Sequence, residues 1–182
     1  MTFRTVGTLL ALTVVLSGCT SDEGDPTVLS PAPSASSTAA PLQVPPEATA
    51  DTPQGAAAFA RFFFADVVNR AYETMDTRTI TALSASQCNS CKNIVSDIER
   101  VREAGHEVAG QRFVIEFAEA APAGSDGDVV VDFRFSADRY REMDNSGQVI
   151  RDVAPRVKQD AQVKLIRSGD GWLVSGIQMV EA

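Results

Sequence analysis

From residue 53 onward the apolar positions recur first with a helical period and then with a period of two, and the switch falls just after Gly110. Thr52-Pro53 reads as a helix start, with a threonine N-cap and proline at the first helical position. The helix is predicted to run to about Met75. Ala57, Ala60, Phe63, Phe64, Val67, Val68, Ala71 and Met75 form a wide apolar arc, and Asp66, Asn69 and Glu73 are left on a narrow polar stripe. A helix this apolar has to be covered on most sides. A short second helix is expected over 77–83, capped by Asp76 or Thr77 and broken by Ser84-Ala85-Ser86-Gln87. The third opens at Cys88-Asn89-Ser90-Cys91, carries Ile94, Val95, Ile98 and Val101 as a stripe, and stops at Gly105-His106.

Beyond Gly110, Phe113, Ile115 and Phe117 alternate with Arg112, Val114 and Glu116. Val129, Val131, Phe133 and Phe135 alternate with Asp128, Val130, Asp132 and Arg134. Both stretches predict strands buried on one face, the second reaching toward Tyr140 before the turn cluster Asp144-Asn145-Ser146-Gly147. Residues 148–153 fit a short edge strand or a loop. A long strand through Val157, Ala161, Val163 and Leu165 turns at Ser168-Gly169-Asp170-Gly171 into a last strand over 172–180. Helices first and antiparallel strands after them predict an α+β domain over 53–182.

The chain ahead of that domain has a different character. Arg4, the apolar run from Val6 to Leu16 and the small residues before Cys19 have the layout of a secretory signal over 1–18. The polar Thr20-Ser21-Asp22-Glu23 follows at once, so the run is shorter than the roughly 20 residues of a spanning helix. Leu16-Ser17-Gly18-Cys19 resembles the lipobox of bacterial lipoproteins, which implies a diacylated Cys19 as the first mature residue and an anchor on the outer face of the cell membrane. Two acyl chains hold where one exchanges. Residues 19–52 are rich in Pro, Ser, Thr and Ala, lack apolar periodicity and contain five acidic and no basic residues, which predicts a disordered tether.

Composition changes this picture in one respect. The net charge is −8, and removal of Arg4 with the leader makes it −9. Such a chain repels phosphate backbones, so nucleic acid is not expected among its partners.

Candidate chemistry is sparse. Phe59 and Phe62 lean toward the polar stripe of the first helix, where with Asp66 and Asn69 they either line a ligand pocket or complete the core. Cys88 and Cys91 admit three readings: a structural disulfide, free thiols, or a redox pair at a helix start, where the helix end favours a thiolate. An oxidising compartment and the use of Cys19 by lipid favour the disulfide. The single histidine, His106, falls at the end of the third helix, and two cysteines with one distant histidine do not complete a zinc set. No catalytic constellation is found, and nothing calls for a metal or cofactor.

The broad helix followed by a meander ending in Gly169-Asp170-Gly171-Trp172-Leu173-Val174 resembles the nuclear-transport-factor-2-like, or SnoaL-like, cone-shaped fold. More narrowly, the lipobox with its proline-rich tail, Pro45-Pro46-Glu47-Ala48-Thr49, the helix over 55–72, and Leu83-Ser84 followed by Cys88-x-x-Cys91 resemble an actinobacterial lipoprotein family of unknown function. The resemblance implies a curved sheet closed over the first helix, sometimes around a small ligand, and a homodimer through the sheet face. Three functional classes follow. The first is a non-catalytic module binding a small molecule or an envelope protein. The second is a SnoaL-like enzyme with an acid–base site in the cone, and the third a thiol–disulfide redox protein using Cys88 and Cys91.

Overall fold

Thr52 does cap the first helix, its hydroxyl accepting the Gly55 N–H at 3.0 Å with Pro53 in the first turn. The computed structural model describes residues 42–180 except 111, 123, 125 and 126. The expected signal sequence, Cys19 and most of the expected tether therefore lie outside the described residues. Order begins ahead of the expected boundary at Pro53. Pro46–Thr49 form a 3-10 turn whose Ala48 is fully buried, and Leu42 and Val44 pack on the core. This strap is tied to the far end of the chain: Trp172 Nε1 donates to the Ala50 carbonyl at 3.1 Å and Arg167 to that of Thr49 at 3.1 Å. Gly55 permits the arrangement, because a Cβ there would stand 2.1 Å from the Ala50 carbonyl oxygen. A proline-rich stretch reads as tether from its lack of periodicity, whereas here backbone carbonyls and the unperiodic Leu42, Val44 and Ala48 do the docking.

The helical layer begins with α1 (Pro53–Phe62), continues without a break through a π-helical segment (Phe63–Val68) and ends in α2 (Asn69–Thr74). Met75 closes it in the left-handed conformation, φ 54°. Short α3 (Arg78–Ala82) and long α4 (Asn89–Glu103) follow. The strands are β1 (Glu107–Ala109), β2 (Phe113–Ala120), β3 (Val129–Ala137), β4 (Tyr140–Met143), β5 (Val149–Val153), β6 (Arg156–Ser168) and β7 (Gly171–Met179). They form two antiparallel sheets, a larger one in the order β2-β3-β6-β7 and a smaller one in the order β1-β4-β5.

The core lies between the helices and the inner face of the larger sheet. Val131, Phe133, Phe135, Val163, Leu165, Trp172 and Val174 are buried there. Phe64 stacks on Phe133 with ring centroids 4.7 Å apart. The other face carries polar side chains, among them the exposed pair Arg134–Asp160. The sequence alternation mispredicts one strand. A bulge between Ile115 and Phe117 shifts the register, so Phe117 pairs with Arg134 on the outer face and is 44% exposed, while Ala118 and Ala120 take the inner positions.

A second departure creates the smaller sheet. The strand expected to continue to Tyr140 breaks at Asp138-Arg139, and β4 leaves to pair with β1 and β5. Gly110 is required at this crossing: its φ is +88°, and a Cβ there would lie 1.7 Å from the Arg139 carbonyl oxygen. Three-residue β1 is too short to show a periodicity of its own, so the pattern of the chain does not announce it.

Candidate functional site

The corner where the two sheets part from α4 concentrates the buried charge of the domain. On β4 the inward positions are Tyr140 and Glu142, and Glu142 is 1% exposed. A buried carboxylate is costly unless paired, and this one is paired thoroughly. Arg100, in the last turn of α4, donates to both carboxylate oxygens at 2.7 Å. His106 Nδ1 lies 2.8 Å from Oε1, and the Tyr140 hydroxyl lies 3.4 Å from Oε2. The hydrogen bonds from Arg100 hold the Glu142 carboxyl down to about 2. An ionised carboxylate only accepts, so His106 carries its proton on Nδ1 and donates it.

Asp97, one turn back on α4, extends the cluster. It accepts from Arg100 at 3.1 Å and from Arg151 of β5 at 2.9 Å, and the Tyr72 hydroxyl lies 3.5 Å away. Arg151 also lies over the Tyr140 ring, 5.2 Å from its centroid. Burial and then the Asp97 charge push the Tyr72 phenol well above its ordinary range, and burial pushes Tyr140 up to about 12. Both phenols stay protonated at neutral pH.

A cavity of about 110 Å³ opens beside this network. Its inner lining comes from the buried Tyr72, Ala137 and Tyr140 and the half-buried Phe113 and Val153; Asp138, Arg151 and Arg156 are exposed at its mouth. The recess is thus mixed in character, with aromatic and aliphatic walls interrupted by two tyrosines and the half-buried Asp97 and further charges at its mouth, and it is flanked by α2, α4 and both sheets. As proton chemistry it offers little. A carboxylate held near 2 is a weak base, and it is buried behind an arginine.

The disulfide lies at the opposite end of α4. Cys88 and Cys91 are bonded, 5.3 Å apart at Cα, and Cys88 is also the N-cap, its sulfur accepting the Cys91 N–H at 3.2 Å. Their residues are 0% and 2% exposed. Buried sulfurs give an attacking thiolate little access, so the geometry favours a structural bond over redox exchange. Both cysteines nevertheless line a surface depression of about 370 Å³, together with Ser84, Ala85, Lys92 and Val95. Ser90 donates to the Ile177 carbonyl at 2.8 Å, and the segment before Cys88 pairs with Val174, so this end of α4 is fastened to the edge of β7.

The four side chains considered for a pocket are not brought together around one. Phe59 and Phe62, 1% and 5% exposed, belong to the core. The polar stripe they lean toward is narrower than the helical wheel suggests, because Asn69 is buried as well. Asn69 Nδ2 donates to the Ala65 and Phe113 carbonyls at 2.8 and 2.9 Å, and its Oδ1 accepts the Phe113 N–H at 2.7 Å. It therefore completes the edge of β2 as a neighbouring strand would. Asp66 is exposed, and none of the four lines the recesses described above. His106, expected at the end of the third helix, lies there but is engaged by Glu142. Glu142 itself carries no motif. The one available signal is a glutamate two residues after a tyrosine, both inward in a strand of period two. Among the described residues no group of three or more His, Cys, Asp and Glu side chains is placed to hold a metal ion, and no helix is long and apolar enough to cross a membrane.

Residues 34–178 match the model of a family of unknown function, DUF6318. No curated protein matches the chain. Among solved structures, the intermembrane space region of the chloroplast protein ARC6 is similar over 69% of this chain and 97% of its own, at 10% identity and a TM-score of 0.52. Aln2 from a Streptomyces species is similar over 70% of this chain and 90% of its own, at 12% identity and a TM-score of 0.44. An uncharacterised protein with a cystatin-like fold from Caulobacter vibrioides is similar over 70% and 89%, at 10% identity and a TM-score of 0.44. At 10% identity the likeness to the ARC6 region is one of fold, and fold does not carry function.

Proposed function

We propose that this chain, which belongs to the DUF6318 family of unknown function, is a lipid-anchored extracytoplasmic module that binds a small molecule without transforming it. The supporting observation is the contrast at the corner of the two sheets: Glu142, Arg100 and His106 are consumed by one another, while the recess beside them is left open. An acid–base enzyme needs a group whose protonation changes near the working pH and which reaches its substrate. Glu142 does neither, and the Cys88–Cys91 disulfide is almost fully buried at the floor of its depression. The Leu16-Ser17-Gly18-Cys19 segment supports the anchor on Cys19, and the acidic proline-rich stretch after it supports a tether that stands the domain off the membrane. In this reading the domain is nuclear-transport-factor-2-like, and the outer sheet face with Phe117 is where a second copy docks.

Two experiments test the parts separately. Metabolic labelling with a palmitate analogue should mark the wild-type chain and not Cys19→Ala; label retained in the variant refutes the anchor. A thermal-shift screen of the oxidised full chain against metabolites should give a saturable rise. A ligand at a hundred times its dissociation constant adds about 2.7 kcal/mol. Turnover of any hit, abolished by Glu142→Gln in a folded protein, would refute the non-catalytic reading.

A further inference from the structure

The charges around the recess beside Tyr140 are not all used. Asp97 and Arg151 close on each other at 2.9 Å, and Arg151 covers the Tyr140 ring. That leaves Asp138 and Arg156. Both are exposed, both line the recess, and neither has a side-chain hydrogen bond or ion pair among the described residues. The fold places them together: Asp138 follows directly on Ala137, and Ala137 is the register partner of Arg156 across β3 and β6. An unspent carboxylate and an unspent guanidinium therefore flank one opening whose interior is made by Tyr72, Phe113, Ala137, Tyr140 and Val153, with Asp97 already paired to Arg151 beside them.

From this juxtaposition we infer that the recess is a binding site for a small zwitterion of the free amino-acid type. Its ammonium faces Asp138, its carboxylate faces Arg156, and its side chain enters the recess. The inference deepens the binding-module reading and rests on it. A purely anionic ligand would satisfy Arg156 and bring like charge against Asp138; a purely cationic one would do the reverse. A neutral polar ligand such as a sugar would leave both ions without a charge partner. Only a molecule carrying both signs at short separation answers both groups. Size sets the second limit. The cavity of about 110 Å³ holds roughly four water molecules at liquid density, which is room for a branched aliphatic group rather than an indole or a sugar ring. Phe113, Ala137 and Val153 give the recess an aliphatic and aromatic wall for such a group to lie against, and the guanidinium fork suits a carboxylate.

Three probes sharing one branched carbon skeleton test the charge argument on the oxidised full chain: L-valine, isobutylamine, which lacks the carboxylate, and isovalerate, which lacks the ammonium. Binding is followed by amide shifts of Ala137, Val153 and Ala154. Valine should saturate these shifts, and each half-charged analogue should bind more weakly by up to about fivefold, the scale of one exposed ion pair. Arg156→Gln should weaken valine about fivefold and leave isobutylamine unchanged; Asp138→Asn should weaken valine and leave isovalerate unchanged. Both positions are exposed, and both variants should keep the wild-type melting temperature. Equal binding of valine and either analogue, valine shifts confined to another surface, or no valine binding overturns the proposal. A different metabolite that saturates the same amides while valine is silent would retain the binding module and end the zwitterion. Silence from a broad metabolite set would end both.

Discussion

The two ends of helix α4 are fastened by different chemistry. At its N-terminus the bond is covalent and local, Cys88 to Cys91, three residues apart, with Ser90 reaching over to β7. At its C-terminus the attachment is ionic and remote: Arg100 and His106 converge on Glu142, 42 and 36 residues away. The first end fixes how the helix enters. The second decides whether the smaller sheet stays against the helix at all, because β4 carries Glu142, and β5 reaches back through Arg151 to Asp97. The recess between these elements depends on the remote attachment. The contrast teaches that a conspicuous motif and the residue that organises the site need not coincide.

The largest effect should come from the remote end. Glu142→Ala leaves Arg100 and His106 facing an unfilled site; Arg100 is partly exposed and recovers some hydration, so a loss of about 3 kcal/mol is expected. Thermal unfolding should fall by roughly 10 °C, and a change below about 2 °C would break the comparison. The same group sets an acid limit. Its folded-state value of about 2 lies below the ordinary 4.5. Its contribution is therefore complete above pH 4.5 and is lost as pH falls toward 2. Urea midpoints of wild type should decline across that window, and those of Glu142→Gln should decline less.

Next in size is Asn69→Ala, which leaves the Phe113 N–H and carbonyl without their side-chain partner at the edge of β2. About 2 kcal/mol is expected, together with faster amide exchange at Phe113. Replacing both Cys88 and Cys91 by serine should cost less, about 1 to 2 kcal/mol. The loop closed is short, and a serine at 88 still caps the helix. A larger loss than that of Glu142→Ala would reverse the ranking of the two ends. Smallest is Arg134→Ala on the outer sheet face, where the partner Asp160 is solvated; no measurable shift in the melting temperature is expected.

How much of this is legible in the chain follows from the range of each interaction. The Thr52-Pro53 start, the stripe of α4 and the alternation of β3 depend on neighbours a few residues away, and each reads directly from the residues. The disulfide is similarly local. Alternation misplaces Phe117 because a bulge alters phase without changing composition. The strap over 42–52 reads as tether because carbonyls of Thr49 and Ala50, which every sequence possesses, do the docking to Arg167 and Trp172. The four-residue group Phe59, Phe62, Asp66 and Asn69 is defined on one helical wheel, whereas the strap and β2 decide which sides of that helix are covered. Glu142 is illegible for the strongest reason. Its partners come from α4 and the turn after it, and the tyrosine two residues earlier is the one local hint that this strand glutamate faces inward.

The reading of the corner as an anchor rather than a proton-transfer site is tested most directly by a carbon-detected NMR titration of the Glu142 side-chain carboxyl in the oxidised protein. A midpoint near 2, well below the ordinary 4.5, is predicted, and in Arg100→Met it should move back up. A wild-type midpoint at or above 4.5 would contradict the account, since the carboxyl would then be free to exchange its proton, and acid–base chemistry at this corner would return as the better explanation.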